Sequence, residues 1–372
     1  MIGIEFINED IVSTLIPVFS MKPAVVYLFY DKKHKSLLNS VSKSIKEKMH
    51  GIEKIYVCEV NGDSFPDIEK KARKIMSELQ GEVYVELTGG SELMNACGYK
   101  LGQEYGFRLL HTDFDRMKII DVLTDDVVCD AAHISLNDYI IAIGAKRLYD
   151  SHHVPQEKDF ERICTMAEYL FANMQYWQGT HQVIKNCLSM KMDTLPKKCF
   201  TESQKAAILL EFVKQGFLIE RETCFDYVDE ASREYVTTFG VWLEMYVYIK
   251  LSAAYGKADI GVRIDWDAWD GHDIGENEID VIMMYNSIPV FVSCKMRNVK
   301  PDDVYEVGFL AQRLGGRRAR AFIATTERIR QSSGFFEKMK DLNVACVSTN
   351  ELKTIPTRKL FDEKLVETGI EI

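Results

Sequence analysis

The 372-residue chain is 47% hydrophobic and 27% charged, the proportions of a globular protein too long for one ordinary core and suited to two or three domains. No run approaches the ~20 apolar residues that span a bilayer, and Met1-Ile2-Gly3-Ile4-Glu5 lacks the basic region and apolar run of a secretory signal, so neither a membrane nor export is expected. Nine unpaired, unpatterned cysteines argue against a disulfide framework or a zinc site and for a reducing cytoplasm, and a net charge of −10 argues against a general polyanion-binding coat.

The first ~140 residues alternate β-rich runs with amphipathic stretches. Ala24-Val25-Val26-Tyr27-Leu28-Phe29-Tyr30, residues 55–60 and residues 83–87 read as strands. Helices are expected near 35–49, 65–79 and 92–105, with further strands at 107–111 and 118–123. Alternation of this kind implies a mainly parallel, Rossmann-like α/β sheet with right-handed crossovers. From about Ser151 the strands disappear. Helices are expected at 159–176, 181–190 and 201–215, and a wing strand at 216–220, which together make a winged-helix-like spacer. Mixed α/β pattern returns with a helix near 238–254, strands at 278–284 and 288–295 joined by Asn286-Ser287, a helix near 304–314, and strands at 319–324 and 344–348. The expected domains are 1–148, 149–225 and 226–372.

The last of these carries the chemistry. A helix with Glu244 precedes a strand with Asp280, a hairpin and a strand ending in Lys295. Adjacent hairpin strands can bring Asp280 and Lys295 to one face, and a helix packed there can add Glu244. Hard carboxylate oxygens suit Mg²⁺ or Mn²⁺, which polarises a phosphodiester and acidifies an attacking water. A lysine offsets charge building on the phosphate. Taken singly, each residue has an ordinary reading, an ion pair for Asp280 and Lys295 and a solvated position for Glu244; their order is what points to a metal site. Cys294 as a nucleophile lacks a histidine with an evident pairing role, and His272, in an acidic loop, reads as surface. From Lys295 to Arg330, nine Lys or Arg stand against four Asp or Glu, a local +5 on an acidic chain. Arg297, Lys300, Arg313, Arg317, Arg318, Arg320, Arg328 and Arg330 are therefore candidates for a substrate groove.

At these residues the chain resembles the restriction-endonuclease-like superfamily, whose signature is Asp, a spacer, then Asp/Glu-x-Lys. The match is Asp280 followed by Ser293-Cys294-Lys295. Ser293 stands where the superfamily usually carries an acid, so the second carboxylate has to come from Glu244, Glu278 or Glu306. The backbone carbonyl of Cys294 offers another metal oxygen, and Gln312 lies on the following helix.

Thr88-Gly89-Gly90-Ser91 ends a strand and opens a helix at the sheet edge where open α/β folds bind ligands. No GxGxxG occurs, which leaves nicotinamide and flavin cofactors unsupported. The longer string Glu86-Leu87-Thr88-Gly89-Gly90-Ser91-Glu92-Leu93-Met94 resembles the Thr-Gly-Gly motif of CRISPR-associated Rossmann-fold (CARF) sensor domains. Sensor, spacer and nuclease in that order resemble the type III CRISPR ancillary nucleases. The resemblance implies a homodimer activated by cyclic tetra-adenylate and cleavage of single-stranded RNA, DNA or both. By position it implies ligand contacts from Thr88, Gly89, Gly90, Ser91 and Met94, with Phe29, Tyr30, Asp31, Lys32 and Asn61 at the same edge. A competing expectation is a nucleotide-sensing winged-helix regulator that binds DNA without cutting it.

Overall fold

A computed structural model describes residues 1–150, 153–265, 276–328 and 333–368. The first unit contains β1 (Ile2–Ile7), α1 (Ile11–Met21), β2 (Val25–Asp31), α2 (Lys35–Lys48), β3 (Lys54–Val60), α3 (Phe65–Met76), β4 (Val83–Glu86), α4 (Glu92–Tyr105), β5 (Arg108–Asp113), β6 (Lys118–Asp121), β7 (Val127–Asp130) and α5 (Leu136–Ala142). Its sheet runs β3-β2-β1-β4-β5-β6-β7, parallel through β5 and antiparallel beyond. The Rossmann-like expectation is met, with one large addition. The central strand β1 and the helix after it were not among the expected elements. Glu5 interrupts the apolar run of β1, and Pro17 lies inside α1, where a proline ordinarily ends a helix. Burial overrides both signals, since Glu5 is enclosed and accepts a hydrogen bond from the Tyr84 hydroxyl at 2.8 Å.

After β8 (Lys146–Asp150) come α6 (Phe160–Ala172), α7 (Met174–Ser189), β9 (Leu195–Pro196), α8 (Ser203–Lys214), β10 (Leu218–Glu220), β11 (Cys224–Tyr227) and α9 (Glu230–Thr237). The helix break expected at 177–180 is corrected to Asn173, whose φ of −119° and ψ of 33° leave the helical region. Helix α7 runs through Gly179 because Trp177, Thr180, His181 and Ile184 share its buried face. Strands β10, β11 and β9 form a small antiparallel wing. On α8, Lys205 and Lys214 are paired with Glu202 and Glu211, so the helix presents little net charge to DNA phosphates.

The last unit comprises α10 (Val241–Tyr255), β12 (Asp259–Asp265), β13 (Glu276–Tyr285), β14 (Ile288–Lys295), α11 (Pro301–Gly315), β15 (Arg320–Thr325), α12 (Ser333–Asp341), β16 (Val344–Ser348), α13 (Thr349–Thr354) and α14 (Thr357–Glu367). Its sheet order is β16-β15-β14-β13-β12-β8, so the strand at the expected 148/149 boundary pairs with β12 of the last unit. One continuous core joins the helical segment to this sheet, with Trp177, Phe212, Phe217 and Trp242 at its centre. No helix among the described residues is long and apolar enough to cross a membrane.

The two α/β units also touch directly. Ser287, at the tip of the β13–β14 hairpin and 2% exposed, accepts a hydrogen bond from the Ile134 amide at 3.0 Å. The Tyr139 hydroxyl of α5 donates to the Leu314 carbonyl of α11. The Arg318 guanidinium pairs with Asp10 and lies 3.5 Å from the centre of the Phe114 ring. This corrects the expectation that Arg318 lines a substrate groove. Burial holds the Asp10 carboxyl above its ordinary range even with that cation beside it. Arg318→Ala is expected to lower stability by about 1–2 kcal/mol, a figure reduced for the partial exposure of both groups. In a denaturant-based double-mutant cycle with Asp10→Asn, additive losses would show that the pair contributes nothing.

Candidate functional site

Helices α10 and α11 cover opposite faces of the second sheet, and the candidate residues meet where β13 and β14 run side by side. The pairing Val281↔Val292 sets the register and puts Asp280 next to the end of β14. One carboxylate oxygen of Asp280 accepts from the Cys294 amide at 2.6 Å and from the Ser293 hydroxyl at 3.3 Å. A narrow cleft against α11 is lined by Glu278, Asp280, Ser293, Lys295 and Glu306, with Phe291, Val307 and Leu310 as apolar walls. Glu244 approaches from the first turn of α10. Burial, and then the negative charge of Glu244, push the Asp280 carboxyl well above its usual range, with the Cys294 amide and the Lys295 ammonium opposing them. The structure thus brings Asp280, Lys295, Glu278 and Glu306 to one cleft, with Glu244 near enough for its charge to act on Asp280.

Within this group the roles differ. Glu278 is ion-paired with Arg263 at 3.3 Å across β12 and β13, whereas Glu306 is exposed. Burial raises the Cys294 thiol well above the usual thiol range, which favours the protonated form over the nucleophilic thiolate. Among the described residues no group of three or more His, Cys, Asp or Glu side chains is close enough to hold a metal ion. Several basic candidates leave the groove. Arg297 makes two 2.7 Å bonds to Asp303, Lys300 caps α11, and Arg320 is buried against the Arg318 and Ala319 carbonyls. Arg313 and Gln312 are exposed on α11, and Arg328 is exposed after β15. Arg317 belongs to the turn Gly316–Arg318, while Arg330 and His272 lie outside the described residues.

The second candidate region is the C-terminal edge of the first sheet, where the loops after β1, β2, β3 and β4 converge. Gly89 and Gly90 are required there. A Cβ on Gly89 would lie 2.3 Å from the Phe6 carbonyl oxygen, and Gly90 has a φ of +75° with Phe6 Cβ 2.4 Å from any added carbon. The turn is held from below by Glu86, which accepts from the Thr88 hydroxyl, the Thr88 and Gly89 amides and the Thr112 hydroxyl. The Thr88 hydroxyl also accepts from the Thr112 amide, so the expected ligand contact at Thr88 is already engaged inside the turn. Ser91 caps α4 and donates to the Gly62 carbonyl. Asp31 accepts from the Lys33 and Gly62 amides and ties two loops together. Lys32 and Asn61 are exposed at this edge. Phe29, 0% exposed, and the equally enclosed Met94 belong to the core beneath it, and Tyr30 is buried with its hydroxyl on Glu59. The structure places these three as supports for the edge and does not present them to a ligand.

Asn8, which the sequence reading missed together with β1, donates to the Gly90 carbonyl at 3.1 Å and accepts from the Asp10 amide. The signal for it was a polar Asn8-Glu9-Asp10 turn between two apolar runs. The same turn places Glu9 3.4 Å from His34, which follows β2.

Desolvation raises the Glu86 carboxyl to about 7 despite its four donors. The folded state therefore binds this proton more tightly than the unfolded chain does. Stability from this group is present below about pH 4.5 and lost as pH rises to about 7, by on the order of 3 kcal/mol. Urea denaturation at pH 5 and pH 8 should show that loss in the wild type and a smaller one in Glu86→Gln; equal losses would refute the assignment.

Residues 229–365 match the family model described as Card1-like, endonuclease domain. The C-terminal part of the chain is thus similar to Card1-like endonuclease domains. Asp280, Lys295, Glu244 and Glu306 all lie inside it. No curated protein matches the chain. Among solved structures, protein VC1899 from Vibrio cholerae superimposes with a TM-score of 0.83 at 16% identity, covering 99% of this chain and 98% of that one. Can2 from Sulfobacillus thermosulfidooxidans, solved in complex with cyclic tetra-adenylate, gives 0.69 at 15% identity with 98% of each chain covered. A type III CRISPR defence DNA nuclease activated by cyclic oligoadenylate gives 0.55 at 15% identity, over 89% of this chain and 46% of that one. The family match covers the C-terminal unit, and the solved structures share the fold: a Rossmann-like unit followed by a second α/β unit.

Proposed function

We propose that this chain is a type III CRISPR defence endonuclease that cuts single-stranded RNA, DNA or both, and is switched on by cyclic tetra-adenylate at the sensor edge. The observation that carries this reading is the joining of two features in one chain. One is the cleft in the Card1-like domain where Asp280 and Lys295 meet, and the other is a Gly89-Gly90 turn that admits no side chain at the sensor edge. The turn opens helix α4, and the amides of a helix N-terminus suit a phosphate-bearing ligand. Can2, one of the solved structures similar to this chain, was solved in complex with cyclic tetra-adenylate. The ligand's two-fold symmetry suits a homodimer, in which one edge repeated meets both halves.

Mn²⁺ or Mg²⁺ fits the donors present. Asp280 and Glu244 place like charges close together, which a divalent cation relieves, and the Cys294 carbonyl adds an oxygen. Two carboxylates suffice for ions that keep several waters. When bound, the ion supplies Lewis acidity at a phosphate oxygen and a more acidic water. The protein's own groups do the rest. The Cys294 amide and Ser293 hydroxyl fix the Asp280 carboxylate, and the Lys295 ammonium offsets charge on the scissile phosphate. The walls formed by Phe291 and Leu310 limit water in the cleft. Glu306, exposed at its mouth, is placed to accept a proton from an attacking water.

The test is cleavage of labelled single-stranded RNA and DNA with Mn²⁺, with and without cyclic tetra-adenylate. Cleavage that requires the activator supports the proposal. Cleavage indifferent to it removes the switch, and no cleavage with any metal removes the enzyme.

A further inference from the structure

Helix α11 buries Val304, Val307, Gly308, Ala311 and Leu314 and turns two aromatic rings to solvent. Tyr305 is 50% exposed and Phe309 64% exposed. Isolated exposed apolar residues are common, but two aromatics four residues apart form one continuous face. That face adjoins the cleft. At 100° per residue the positions follow one another around the helix from the cleft outward as Leu310, Glu306, Arg313, Phe309 and Tyr305. Leu310 and Glu306 line the cleft, and Arg313 is exposed. The order is therefore catalytic wall, cation, ring, ring. The two positions rise about 6 Å along the helix axis, which leaves room for one base on each ring.

We propose that Tyr305 and Phe309 form a base-stacking platform that receives an unpaired nucleic-acid strand and leads its backbone past Arg313 into the cleft at Lys295. The chemistry selects the occupant. A ring without a hydrogen-bonding frame takes any base by its face, and only unpaired bases offer that face. Lys295 in the cleft and the exposed Arg313 between cleft and rings put positive charge along the path of the strand's phosphates. The platform thus gives preference for single strands with little preference for sequence. It rests on the nuclease reading for the identity of the neighbouring cleft, but its own signature is binding, which is measurable without turnover.

The experiment uses the full chain in EDTA, with and without cyclic tetra-adenylate, and fluorescence anisotropy of labelled oligo(dT), oligo(U) and a duplex of equal length. Tyr305→Ala and Phe309→Ala are each expected to weaken single-strand binding by ~5–150-fold, as loss of one stacked base does. Duplex binding should change by less than about two-fold, and Phe309→Trp should retain single-strand affinity. Wild-type binding without cleavage in the Mn²⁺ assay would refute the nuclease reading and leave the platform standing. Wild-type cleavage with single-strand affinity unchanged in both alanine variants would do the reverse. Two further outcomes overturn the platform: a wild type that binds no single strand, and a Phe309→Ala variant that loses oligomer mass in sedimentation while keeping its affinity. The second would assign this face to contact between copies of the chain.

Discussion

Lys295→Ala is expected to slow cleavage by about 10²–10³-fold, the cost of removing one charge-stabilising donor from a preorganised site. Lys295 ends β14, is half-buried, and is the one cation among the described residues lining the cleft. No other ammonium or guanidinium there can take over its position. Asp280→Asn is expected to lose at least as much, for a different reason. The amide oxygen can still accept from the Cys294 amide, so the shape survives while the charge is lost. Because burial and the charge of Glu244 both work against an ionised Asp280, the asparagine variant should be as stable as the wild type or more so. Single-turnover cleavage and a denaturation curve on the same samples separate the two effects. Turnover near the wild-type rate in either variant would remove the cleft from consideration as the active site.

Trp242→Ala is expected to cost about 3–5 kcal/mol of stability, the range for a fully buried aromatic cut back to a methyl. The indole lies 5.5 Å from the Phe212 ring and 5.2 Å from Phe217, edge to face with the latter, and its N–H donates to the Tyr235 carbonyl at 2.8 Å. Phe212 and Phe217 come from the helical segment, whereas Trp242 stands two residues before Glu244 on α10. The truncation therefore loosens both the spacer and the mounting of Glu244. Urea denaturation should show one transition shifted to lower denaturant with an unchanged slope. A loss below about 1 kcal/mol would mean that the aromatic cluster can collapse around the gap and does not join the two parts.

The hairpin bearing Asp280 and Lys295 was legible because both strands show the β-rich pattern and Asn286-Ser287 marks the turn. Those two residues adopt φ values of 46° and 64°, the left-handed region such turns require. The Thr-Gly-Gly edge was legible for the same reason, since glycine spacing reports backbone conformation directly. What stayed hidden depends on tertiary contact. Glu5 breaks the apolar run of β1 until Tyr84 covers it, and with β1 unassigned the Asn8 bond to the Gly89-Gly90 turn had no place in the pattern. Arg297 and Arg318 look like groove cations in a linear count. Their partners, Asp303 and Asp10, lie 6 and 308 residues away, and only the second distance places its arginine between units. Phe29 and Met94 lie beneath the candidate edge, in its interior, a distinction that period-2 and period-3.6 patterns cannot make when both faces of a sheet are covered.

Strand β8 bears on how such a protein can be taken apart. It leaves the sensor unit and becomes the border of the nuclease sheet, pairing Lys146 with Asp265 and Arg147 with Ile264, and the Arg147 side chain reaches Asp259 at 3.0 Å. A fragment starting at residue 229, where the Card1-like match begins, would keep every cleft residue and still end in a bare row of β12 amides and carbonyls. Such an edge recruits whatever strand is nearest, usually another copy of itself. The endonuclease-like unit is therefore not a cassette that can be cut out at its sequence boundary; any graft has to carry the last strand of the first unit with it.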